Sequence, residues 1–113
     1  MELERTDLGA IRIGTEPIVQ IVGHTAAECY GVVGMAGKGL KRLLTRDKLT
    51  QGIDVTGTPE GLRVALHVVV EHGLNLAEVA TTVRSRVAYE VERLTGLHVA
   101  AVEVHIEDVR RSA

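Results

Sequence analysis

The 113-residue chain predicts an α+β fold: an open two-layer sandwich of β-α-β-β-α-β order, with helices on one face of a mixed or antiparallel sheet. Three observations carry this expectation. Two stretches, 15–29 and 76–94, set apolar residues at helical spacing on a single stripe. Four other stretches alternate apolar and polar residues, as a strand does when one sheet face is buried and the other wet. Helices with one apolar stripe each cover one face of such a sheet, and the order matches the split β-α-β ferredoxin-like pattern. The length fits one domain over residues 1–113, and no repeat, linker or low-complexity tract divides it.

Each element follows from local residue chemistry. Leu8 to Ile13 reads as a short strand with Ile11 and Ile13 on one side. Thr15 is an N-cap candidate, with Glu16 and Pro17 in the first helical turn. Ile18, Ile21, Val22, Thr25, Ala26 and Cys29 then form one stripe, which puts Cys29 on the buried side as an inert core thiol. Gly31 to Gly39 holds four glycines, one lysine and no acid, and reads as a joint; Leu40 to Leu44 supplies one or two helical turns. Gly52 to Thr56 is a strand with Ile53 and Val55 inward. Thr58-Pro59-Glu60-Gly61 is a turn signal, joining that strand to the next in a hairpin longer than the two-residue type.

Leu62 to His72 is the clearest strand. Val64, Leu66, Val68 and Val70 share one face, and Arg63, His67 and Glu71 the other. Asn75 and Glu78 resemble a capping box opening a helix that runs to Leu94, with Gly96 placed to end it. Arg86 and Glu90 are spaced to pair on its outer side. Val99 to Val109 is the last strand, with Ala100, Val102, Val104 and Ile106 inward and Glu103, His105 and Glu107 outward.

Composition narrows the function. The net charge is −2 and only 2% of residues are aromatic, with no Phe or Trp. A nucleic-acid binder is usually basic and carries stacking rings, so no DNA partner is expected and RNA is disfavoured. The basic run from Lys38 to Lys48 contains five bases and one acid, Asp47. A single cysteine rules out an intrachain disulfide framework. The acidic start lacks the apolar core of a secretory signal, and no run approaches the ~20 residues of a membrane span. A cytoplasmic protein that meets the membrane only through a partner is the expectation.

The motifs do not assemble chemistry. A Walker loop needs Gly, four residues, then Gly-Lys-Ser/Thr; here Val32 stands in the first position and Gly39 follows Lys38. Gly34-Met35-Ala36-Gly37 has the spacing of the GXXG clamp of KH-type RNA-binding domains, which makes a KH-like RNA-binding module the alternative reading. His67 and His105 are placed to meet across the outer sheet face near Glu103 or Glu107, but a zinc site needs three or four converging ligands. No metal, cofactor or catalytic residue is assigned, and no enzyme activity is expected.

The chain also resembles the alkaline-shock-protein (envelope stress response) family of bacteria. The resemblance rests on the order and spacing of Gly9-Ala10-Ile11-Arg12-Ile13, Gly31-Val32-Val33-Gly34-Met35, Gly52-Ile53-Asp54-Val55, Val68-Val69-Val70-Glu71-His72-Gly73, Ala77-Glu78-Val79-Ala80, Thr95-Gly96-Leu97-His98-Val99 and Val102 to Val109. It implies a non-enzymatic protein of envelope stress or envelope homeostasis that acts as a protein–protein interaction module. It further implies a small membrane anchor protein as partner, which would hold the chain at the inner face of the membrane. Gly34, Met35, Gly37, Lys38, Lys41 and Arg42 are the partner-binding candidates. An exposed edge strand offers, in addition, a route to a homo-oligomer.

Overall fold

The structure is a computed structural model that describes residues 3–5, 11–13, 15–36 and 51–111. Its elements run β1 (Leu3–Arg5), β2 (Ile11–Ile13), α1 (Thr15–Glu28), β3 (Val32–Met35), β4 (Ile53–Thr58), β5 (Gly61–Glu71), α2 (Leu76–Thr95) and β6 (Val99–Arg110). The two-layer α+β sandwich is as expected, but the element order contains two further strands. β1 and β2 form an antiparallel pair separate from the main sheet. β3 lies within the glycine-rich segment and pairs antiparallel with β5. The joint at Gly31–Gly39 is therefore partly a strand, too short and too rich in glycine to show alternation.

β5 is the hub of the main sheet. Along one flank it pairs antiparallel with β4 over Gly61 to Leu66 and with β3 over Val68 to Val70. Along the other it pairs parallel with β6 over its whole length. The sheet is mixed, and α2 is the crossover that a parallel pair requires. No strand is inserted between β5 and β6, so this is a direct β-α-β unit and not the split arrangement that the element order suggested.

The inner face carries the core. Val64, Leu66, Val68 and Val70 of β5 pack against Ile18, Val22, Ala26 and Cys29 of the first helical stripe, and against Val79, Val83, Val87 and Val91 of α2, all of them buried. Spacing of three and four residues puts these side chains on one helix face. Leu76 and Leu94, at the ends of the α2 stripe, are exposed. Asn75 caps α2 by accepting a hydrogen bond from the Glu78 N–H at 3.1 Å. Gly96 ends it in the left-handed region at φ 73° and donates its N–H to the Glu92 carbonyl. Glu90 bonds Arg93 at 2.7 Å, one turn on, and the Arg86 charge also acts on its carboxylate.

Two details of the strands depart from the expected alternation. Thr58 pairs with Gly61, so Pro59 and Glu60 alone make the β4–β5 turn, a two-residue hairpin. Register shifts along β6 leave Ala100 and Glu107 as bulged residues, so that Val99, Val102, Val104, Ile106 and Val109 stand opposite the inner residues of β5. Ala100 is exposed instead of facing the core.

Candidate interaction surface

Among the described residues no helix lies over the outer face of the sheet, and its centre is His67. This residue marks the point on β5 where β4 ends and β3 begins. Its N–H donates to the Gly52 carbonyl at 2.9 Å and its carbonyl accepts from the Ala36 N–H at 3.0 Å. Ala36 and Gly52 therefore meet beside the same residue. Gln51 adds a side-chain bond to the Met35 carbonyl at 3.2 Å. Gly52 sits at φ 74°, and a β-carbon there would fall on the Ala36 carbonyl oxygen, so the close passage of the two backbones requires glycine.

His67 is 7% exposed, although it stands on the side expected to be wet. On the β6 flank it stacks on His105, with ring centroids 4.6 Å apart and planes 14° from parallel. Its Nδ1 bonds the Glu107 carboxylate. That bond depends on the bulge: Ile106 pairs with Val68 and Asp108 with Val69, so Glu107 is the extra residue, free of strict register and aimed back at the ring. Val69 on the same face is also buried. Arg63, Glu103 and His105, with Asp54 and Thr56 of β4, are exposed around this centre.

This polar cluster pairs a histidine with a carboxylate but offers no nucleophile to activate. Among the described residues, no three His, Cys, Asp or Glu side chains form a group that could hold a metal ion. Cys29 is buried and its thiol donates to the Thr25 carbonyl at 3.3 Å. Burial pushes the thiol above its ordinary range, opposed by the nearby Arg86 charge and reinforced by Glu28, which suits an inert core residue. On the helical side, a groove of about 310 Å³ is lined by Tyr30, Leu74, Asn75, Glu78, Val79 and Thr82; it holds one carboxylate and no base to work with it.

The partner-binding candidates fare unevenly. Met35 is 8% exposed and belongs to the core cluster, so it presents no contact surface. Gly34 lies in β3 opposite Val69, with open space where a side chain would be. Gly37, Lys38, Lys41 and Arg42 lie outside the described residues, as does the helical turn expected at Leu40 to Leu44. The KH-like reading fails on geometry: a GXXG clamp is a loop between helices, whereas Gly34 and Met35 are paired residues of a strand. His67, His105 and Glu107 were findable in the sequence as an outer-face group. The burial of His67 was not, because alternation along β5 puts it on the side expected to be wet.

Several known proteins resemble this chain. The uncharacterized protein YloU of Bacillus subtilis (strain 168) is 34% identical over 111 residues, 94% of this chain and 92% of that one. Spy1614, an uncharacterized protein of Streptococcus pyogenes serotype M6, is 30% identical over 107 residues, 90% of this chain and 88% of that one. Two solved zinc forms of MamM CTD superpose with TM-scores of 0.52 and 0.53 at 11% and 14% identity. The first covers 89% of either chain, the second 87% of this chain and 88% of that one. At such identity the likeness is one of fold alone. Residues 3–111 match the family described by a cell envelope-related function, and with that match the chain belongs to the alkaline shock protein 23 family.

Proposed function

We propose that this chain is a non-catalytic protein–protein interaction module of cell-envelope homeostasis, and that its partner docks on the outer face of the sheet, around Arg63, Glu103 and His105. The observation that carries the reading is that face itself. Exposed Arg63, Glu103 and His105 stand around a His67–Glu107 pair, on strands whose other side packs against the core. Charged and polar side chains held on strands keep their geometry and select a partner by complementary charge. The family description supports an envelope role. No helix of the described residues is long and apolar enough to cross a membrane, which fits contact with the membrane from the cytoplasmic side through an anchored partner.

The test is cross-linked affinity capture from membrane and soluble fractions of the source cell, comparing the natural chain with an Arg63→Glu variant. A specific envelope protein captured by the first and lost in the second supports the proposal. Capture of the same proteins by both, or of none by either, overturns it. A Lys38→Glu, Lys41→Glu variant in the same experiment tests the basic residues assigned from the sequence.

A further inference from the structure

β6 is a twelve-residue strand, and among the described residues it pairs with β5 alone. Its second side therefore presents a row of backbone donors and acceptors. Natural edge strands are commonly blunted by lysine, proline or bulges. β6 has neither lysine nor proline, and its bulges at Ala100 and Glu107 bracket a regular stretch from Ala101 to Ile106. Within that stretch Val104 and Ile106 face the core yet remain half-buried, while Glu103 and His105 are exposed on the outer side. The apolar side of this edge is covered on one flank only.

We propose that this edge pairs antiparallel with the same edge of a second copy, across a two-fold axis through Val104. The register follows from side-chain chemistry. Residues opposite one another in an antiparallel pair lie on the same side of the sheet, so the axis must pass through a residue. An axis through Glu103 sets that carboxylate against its own copy. An axis through His105 sets Glu103 against Glu107 twice. Like charges directly opposite destabilise a pair. An axis through Val102 brings the bulged Ala100 opposite Val104 and breaks the ladder. Through Val104, each Glu103 faces the His105 of the other copy, each Val102 faces an Ile106, and Val104 faces itself.

All three inner-face pairs are then apolar, and both outer-face pairs join a carboxylate to an imidazole that can donate to it. The two four-stranded sheets become one continuous sheet with both helical layers on the same side. The interface is isologous and closes on itself. The bulges flanking the regular stretch limit further pairing and so confine the contact to this register.

Sedimentation velocity and disulfide trapping test the proposal in a Cys29→Ala background. The expected result is a dimer in which Val104→Cys forms an intermolecular disulfide on mild oxidation, while Glu103→Cys and His105→Cys do so far less. Glu103→Arg alone, an exposed change that leaves the fold intact by circular dichroism, should weaken the dimer at least tenfold. Adding His105→Glu should restore it. A monomer at all concentrations overturns the proposal, and so does a dimer that traps best at 103 or 105, or at none of the three. Either result is distinguishable from failure of the capture experiment above, because that one reads Arg63, which lies on β5 and not on this edge.

Discussion

Gly52 and Gly34 are both glycines of the same chain passage, yet they should respond to substitution in opposite ways. Gly52 is left-handed, and a β-carbon there meets the Ala36 carbonyl. Gly52→Ala should cost about 2 kcal/mol or more, the left-handed backbone alone contributing ~1–2. Gly34 has open space and no positive φ, so Gly34→Ala should stabilise by ~0.4–1 kcal/mol through the unfolded chain. Urea unfolding of the two variants checks both. Cys29 predicts a pH effect. Its thiol is raised above its ordinary value of 9.0 by burial, so the unfolded chain loses that proton first as pH rises. Above that value the folded state binds more protons than the unfolded one, and stability falls. The natural chain should therefore lose stability more steeply than Cys29→Ala above about pH 9 in matched denaturation series.

At the scale of the element, α2 depends on its two ends. Asn75→Ala removes the bond to the Glu78 N–H and should cost about 1 kcal/mol. Gly96→Ala forces a left-handed alanine and should cost ~1–2 kcal/mol. Thermal melts of both variants provide the measurement. Both caps were legible in the sequence, because capping chemistry is local. So were the α1 and α2 stripes and the inner face of β5, whose periods of 3.6 and 2 reflect burial on one side. β3 was not legible: Val32-Val33-Gly34-Met35 is too short for alternation, and its glycine pointed to a turn. The bulges at Ala100 and Glu107 leave no mark in a run of Val, Ala and Glu. They arise from pairing with β5, which lies far away in sequence. For that reason the sequence placed His67 and His105 on one face with Glu103 or Glu107 nearby, but did not single out Glu107 as the carboxylate on the ring of His67.

At the scale of the whole molecule, one strand holds the layers together. β5 pairs with three strands and faces both helices, so damage to it is damage to everything. Leu66→Ala, at a position with no exposure, should cost ~2–5 kcal/mol. Unfolding should remain a single transition. Far-ultraviolet dichroism and the fluorescence of Tyr30 and Tyr89, both exposed outside the sheet, should then give one midpoint. Two separated midpoints would mean that the layers unfold independently.

The hub arrangement also sets an order of assembly. The β4–β5 hairpin closes over two residues, whereas β6 can join only after the twenty residues of α2 have been spanned. Contacts of short sequence separation form at lower entropic cost. The hairpin should therefore belong to the folding nucleus, with β6 zipping on late. Thr58→Ala, which removes the hydroxyl bond to the Gly61 carbonyl, should slow folding. Ile106→Ala should mainly speed unfolding. Stopped-flow chevrons would separate the two. If they hold, the last strand to arrive during folding is also the one that, among the described residues, pairs on a single side, and a nascent chain would expose its second side only once the rest of the described sheet had formed.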